Sequence, residues 1–148
     1  MDVGSKHGYP AGALSNFSPH PFTIDGVECA SMEGFLQSLK FKNPKMQKHV
    51  CTLVGFKAKS KGAHKNWQES QTLYWQGQAI KRESDEYQVL LDKAFRAMKD
   101  CSDSFRRALK ASQGANLTHS IGKSDPKQTV LTEREFCSRL TKLREELL

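Results

Sequence analysis

Gly12-Ala-Leu-Ser-Asn-Phe-Ser-Pro-His-Pro-Phe-Thr-Ile-Asp-Gly-Val-Glu-Cys-Ala-Ser-Met-Glu-Gly-Phe-Leu-Gln-Ser-Leu-Lys-Phe41 passes from a loop through a hairpin into a helix. Phe22-Thr-Ile alternates and then meets Asp25-Gly26, a dipeptide suited to the positive φ angles of a tight hairpin turn. Ser31 is placed to cap a helix, and Met32, Phe35, Leu36 and Leu39 recur at i, i+3, i+4 and i+7 as an apolar stripe. Glu33, Gln37 and Lys40 follow the same spacing beside it. A polar row at the margin of a buried stripe holds its acid partly out of water, where its charge acts strongly.

Outward from that stretch the pattern is mostly helical. Asn43-Pro44 interrupts the first helix, and the spacing predicts a second over 45–54, ending at Gly55. Residues 56–66 read as a short lysine-rich helix and a loop, and 67–80 as an aromatic, partly helical segment. A long helix starts at Ser84 or Asp85, with Tyr87, Leu90, Leu91, Ala94, Phe95 and Met98 on one face. Ser102 or Asp103 opens another, carrying Phe105, Ala108 and Leu109 and stopping near Gly114. Leu117–Ile121 reads as a short strand. Thr132-x-x-Glu135 is a capping box for a last helix with Phe136, Leu140, Leu143 and Leu147 inward. No repeat, linker or domain boundary interrupts the 148 residues. The expectation is one α+β domain over 1–148, mostly helical with one small β-sheet. Met32, Phe35, Leu39, Leu91, Phe95, Phe136, Leu140 and Leu143 should share its core.

Composition narrows the function classes. No apolar run is long enough to span a membrane, and the first residues lack an apolar signal segment, so a cytoplasmic protein with no membrane partner is expected. The cysteines at 29, 51, 101 and 137 form no CxxC pair, which predicts free thiols and no metal site. P-loop, dinucleotide-binding and metalloprotease motifs are missing, and no cofactor is expected. The net charge of +7 implies an acidic partner such as a phosphorylated small molecule or nucleic acid. The excess is densest from Lys40 to Lys65, without an RNP, zinc-finger or helix-turn-helix signature.

Glu33 has two readings. An acid in a first helical turn meets the helix dipole favourably and needs no other purpose. It can also stabilise the positive charge that grows at an anomeric carbon as an N-glycosidic bond breaks, or orient water for that carbon. A nitrogen heterocycle can leave without a paired general acid, so one carboxylate suffices. Trp67, behind a cationic run, is either core or a face on which a base stacks. His119 is either a structural histidine or a pocket residue. Asp125 sits in Gly122-Lys-Ser-Asp-Pro, where turn chemistry alone accounts for it.

Ser15-Asn16-Phe17, Asp25-Gly26, Glu33, Gln37-x-x-Lys40-Phe41, Lys65-Asn66-Trp67 and Leu143-Arg144 fall in an order that resembles the YbiA-like N-glycosidase (NADAR) family. Members of that family act on ADP-ribose-type and related nucleotide N-glycosides. The likeness runs from about Ala13 to Arg144 and is dense only between Leu14 and Phe41. It implies a YbiA-like α+β fold, a catalytic Glu33, and a pocket to which Asn16, Gln37, Lys40 and Trp67 contribute. Ser15, Phe17, His119 and Asp125 are the further candidates for substrate binding. Family members usually carry His after the acid, where this chain has Gly34. An aromatic pair before the Ser-Asn-Phe loop is replaced by Val3-Gly4-Ser5, and an acid-Trp-Gly segment before the last helix by Asp125-Pro126. The resemblance implies hydrolysis of the bond between a nitrogen base and a phosphorylated ribose, foremost removal of ADP-ribose from a modified base such as guanine in nucleic acid. A module that binds ADP-ribose without cleaving it, and a glycosidase of riboflavin-pathway intermediates, are the alternatives. The partner is accordingly an ADP-ribose-type small molecule or an ADP-ribosylated nucleic acid.

Overall fold

A computed structural model describes residues 1–148. The chain runs β1 (Phe22–Ile24), β2 (Val27–Cys29), α1 (Met32–Ser38), α2 (Pro44–Cys51), α3 (Gly55–Gly62), β3 (Thr72–Trp75), β4 (Gln78–Lys81), α4 (Asp85–Cys101), α5 (Asp103–Ala111) and α6 (Glu133–Glu145). It is one α+β domain of six helices and two separate two-stranded antiparallel sheets.

In β1–β2, Phe22 pairs with Cys29 and Ile24 with Val27, all four facing inward, while Thr23 and Glu28 face out. The connecting Asp25 and Gly26 both take positive φ, 49° and 77°. The second sheet lies where a partly helical segment is expected from the sequence. Leu73 and Trp75 alternate inward there, and Gln76-Gly77 turns the chain with φ of 51° and 84°. Glutamine seldom opens such a turn, so the hairpin is masked in the sequence. Residues 117–121 likewise form no full strand: a single parallel bridge joins Thr118 to Asp2.

The helices follow their caps. Ser31, Asn43, Ser84, Ser102 and Thr132 each accept a bond from a backbone N–H of the first turn, and Thr132 and Glu135 complete a capping box. Pro44 is the first residue of α2, where its missing N–H costs nothing. All eight expected core residues fall in a single buried cluster of 28. Burying each Leu or Phe side chain of that cluster contributes about 1.5–3 kcal/mol.

Two buried polar side chains fix the surroundings of α1. Gln47 donates to the carbonyls of Ser38 (3.0 Å) and Tyr74 (2.8 Å) and accepts from the amide of Gln76 (2.9 Å), joining α1, α2 and the β3–β4 hairpin. Arg82, 1% exposed, donates to the Thr129 carbonyl (2.9 Å) and grips both oxygens of Glu135 (2.6 and 3.1 Å). With the Tyr87 hydroxyl donating to the Val130 carbonyl (2.5 Å), it pins the segment before α6 against the core. No helix is long and apolar enough to cross a membrane.

Candidate active site

The end of the 15–17 loop is bonded directly onto the start of α1. The Glu33 amide donates to the Asn16 carbonyl (3.1 Å), and the Ser15 hydroxyl accepts from the Phe17 amide (3.2 Å) to shape the bend. Ser31 caps the Gly34 amide (3.1 Å) and donates to the Leu53 carbonyl (3.0 Å), seating the same turn on the end of α2. The contact is close. A Cβ at Gly34 would lie 2.5 Å from the Leu53 carbonyl oxygen, with the Val50 and Cys51 oxygens at 3.1 and 3.2 Å. Glycine therefore follows the acid here because backbone occupies the space a side chain would need.

Glu33 faces a cavity of about 570 Å³, within the usual range for small-molecule sites. One wall carries Ser15, Asn16, Phe17, Glu33, Gln37 and Lys40, with Phe56 and Lys59 from α3 and Trp67 beyond it. The opposite wall combines residues 4–7 with 119, 121–123 and 128–131. Gln37, one turn on from Glu33, donates its amide to Glu33 Oε2 at 2.8 Å. Its own Oε1 is buried without a partner, as is Asn16 Oδ1. Gln37 Oε1 faces Gly62 of α3 and is closed off from the cavity. Gly62 makes room for this arrangement, since a Cβ there would stand 1.9 Å from Gln37 Oε1. Lys40 Nζ reaches the Gly62 carbonyl at 3.4 Å.

Burial pushes the Glu33 carboxyl above the ordinary glutamate range. The Gln37 bond and the charges of Lys40, Lys59 and His119 oppose that shift without cancelling it. Burial also lowers Lys40, helped by the charge of Lys123, while Glu33 pulls it back. Lysines 6, 40, 59 and 123 thus face a cavity whose one acid is Glu33, so the site as a whole attracts anions.

His119 is firmly held. Its amide donates to Glu133 Oε1 (3.1 Å), its ring stands edge-on to Phe136 (5.1 Å), and Nδ1 meets the Val3 carbonyl at 2.7 Å. A carbonyl only accepts, so Nδ1 carries the hydrogen of this contact.

Eight of the nine candidates from the sequence are brought to this cavity. Asp125 is not: it lies exposed in a turn, its Oδ1 accepting from the Lys127 amide at 2.9 Å. Trp67 lines the cavity but is only 4% exposed and belongs to the core cluster, so little of its ring is free to stack on a ligand. The open aromatic ring is Phe56, 70% exposed and edge-on to Phe17 at 5.0 Å. Its one sequence signal is an aromatic residue off the Ala58–Gly62 face that α3 buries. Lys6, Lys123 and the 128–131 segment carry no such signal, because distant parts of the chain meet there.

The likeness to known proteins covers almost the whole chain. A protein of Enterobacteria phage T4, the uncharacterized 17.1 kDa protein of the Gp30–rIII intergenic region, is 37% identical over 149 residues, spanning 99% of this chain and 98% of its own length. The NMR structure of the Escherichia coli protein YbiA shares the fold, with a TM-score of 0.63 over 99% of this chain and 83% of that one, at 22% identity. The profile of the bacteriophage protein GP30.3 family matches residues 8–145, and the chain belongs to that family.

Proposed function

We propose that the chain is an N-glycosidase that hydrolyses the bond between a nitrogen base and a phosphorylated ribose, with Glu33 as its catalytic carboxylate. The observation that carries this reading is a single buried acid, held by Gln37, in a cavity to which four lysines also contribute. As the C–N bond breaks, its electron pair leaves with the base and positive charge grows on the anomeric carbon. An ionised Glu33 opposes that charge at short range in a low dielectric. Water then adds its oxygen to the same carbon, and the proton it loses passes to the carboxylate. The departing base takes up a proton from solvent and Glu33 returns its own to solvent, so one water is consumed per bond broken and the carboxylate is regenerated. Gln37, donating its amide to Glu33 Oε2, keeps the acid in place.

ADP-ribose on a modified base, guanine in nucleic acid foremost, suits the site best, because a diphosphate calls for several cations. Lys6, Lys59 and Lys123 supply them beside Lys40. The resemblance to NADAR glycosidases and the fold shared with YbiA support the same chemistry. Chromatography of products from an oligonucleotide bearing ADP-ribosylated guanine tests it. Released ADP-ribose and an intact guanine are expected; retention of the modified strand without release would make the protein a binding module.

A further inference from the structure

Residues 34–68 contain no Asp or Glu, yet they carry eight lysines, from Lys40 to Lys65. None of these lysines takes part in a salt bridge; all seven salt bridges lie elsewhere in the molecule. The cavity uses only Lys40 and Lys59 of the eight. Lys57 and Lys61 stand one turn apart on α3, exposed and outside the cavity, and Lys57 follows Phe56 directly in the chain. At the cavity mouth the rim is apolar: Phe56 and Ile121 line the cavity while 70% and 74% exposed. An aromatic ring kept open to solvent, braced edge-on by Phe17 and bordered by unpaired cations, matches the way proteins grip single strands.

We propose that α3 and the Phe17–Phe56 pair form a track for a single-stranded polynucleotide. A base next to the one under attack stacks on Phe56, and the backbone phosphates lie along Lys57 and Lys61. Which base enters the cavity rests on the function proposed above; the track itself does not. A single strand is required because a base reaches such a cavity only once it has left its stack, and a duplex has no free base face to offer Phe56. An anionic membrane would satisfy the lysines but has no flat face for that ring, and an acidic protein lacks the regular alternation of flat bases and phosphates that a strand presents.

Fluorescence anisotropy with an unmodified, labelled 15-mer of single-stranded DNA, and RNA of the same sequence, tests the track without any turnover. The wild-type protein should bind, with log affinity falling linearly in log salt by about 0.7 per phosphate contacted. Phe56→Ala should weaken binding about fivefold or more, and Phe56→Tyr, which keeps the ring, should restore most of it. Lys57→Gln with Lys61→Gln should flatten the salt slope by about 1.4, while free ADP-ribose binds as before. The proposal is overturned if the 15-mer does not bind, if Phe56→Ala binds as well as wild type, or if duplex DNA, polyglutamate or anionic vesicles compete equally. Oligonucleotide binding with this pattern but no release of ADP-ribose from a modified strand would retain the track and reject the glycosidase. ADP-ribose release without oligonucleotide binding would do the reverse.

Discussion

The two walls of the cavity are built in opposite ways. One comes from residues 15–68, where loop, helix and helix follow each other in the chain and the acid sits on a helix whose own periodicity orients it. The other joins residues 4–7 to 119–131 through bonds between distant parts of the chain. Asp2 accepts from the amide and hydroxyl of Ser120 (2.7 and 2.5 Å) and the hydroxyl of Thr118 (3.1 Å), His119 holds Val3, and Arg82 and Tyr87 hold Thr129 and Val130. The first wall is continuous in the chain with core helix α1 and reaches the core through Leu36 and Trp67. The second is positioned by hydrogen bonds that a single substitution can remove. Changes in the first should therefore alter stability or chemistry; in the second, loss of the buried Arg82 anchor should cost stability, and loss of an outer tie the placement of ligand.

Trp67→Ala should have the largest effect on stability. Its ring belongs to the core, and its loss should cost about 3–5 kcal/mol, as for buried aromatics generally. A thermal melt measures this. A small change in melting temperature together with lost ADP-ribose affinity would instead make the ring a ligand face and blur the distinction between the walls.

Arg82→Met attacks the anchor of the second wall. It leaves Glu135 without its bidentate partner and the Thr129 carbonyl without its donor, and should cost about 3 kcal/mol in urea melts. Burial alone would raise Glu135, but its bonds from Arg82, the Thr132 amide and Gln88 outweigh that and hold it below the usual carboxylate range. A depressed folded value means the stabilisation is full above the unfolded value and is lost as pH falls through the folded one. Wild-type stability should thus decline on the acid side, and Arg82→Met should decline less steeply; parallel curves would place the anchor elsewhere.

Asp2→Ala should have the smallest effect. Bonds from the Ser120 hydroxyl and amide, outweighing burial and joined by the Thr118 hydroxyl and the charge of His7, lower its carboxyl to about 2, so the tie persists through the working pH range. Removing it should loosen His119 and cut kcat/KM by up to about tenfold while the melting curve barely moves, the expected cost of slight misplacement. Unchanged kinetics would mean that the second wall is set by Arg82 and Tyr87 alone.

The same contrast governs what is legible in the sequence. The α1 stripe and the caps at Ser31 and Thr132 are local patterns, and residue spacing alone puts Glu33 and Gln37 on one face, with Lys40 in the turn that follows. Asp25-Gly26 announces the first hairpin, whereas Gln76-Gly77 makes an equivalent turn with a residue seldom found there. The tie of Asp2 to Ser120 spans 118 positions and leaves no local trace. Aromatic chemistry alone does not separate Trp67 from Phe56, because exposure decides between them: the tryptophan packs inside, and the phenylalanine stands open at the rim. Asp125 obeys the turn pattern around it.

The central claim is that Glu33 acts as a buried, ionised carboxylate. Its raised value means that kcat/KM should fall as pH drops through a midpoint above the ordinary glutamate value of 4.5. By linkage, a raised value in the folded state makes the ionised carboxylate a cost to stability at neutral pH. The decisive measurement is the rate of ADP-ribose release by Glu33→Gln across that pH range, alongside its affinity for ADP-ribose and its melting temperature. Turnover should drop by about 10²-fold or more and lose its acid limb. Affinity should stay within about tenfold, or 1.4 kcal/mol, and the variant should melt no lower than wild type. Turnover at the wild-type rate with an unaltered pH profile would show that Glu33 only meets its helix dipole, and the claim would fall.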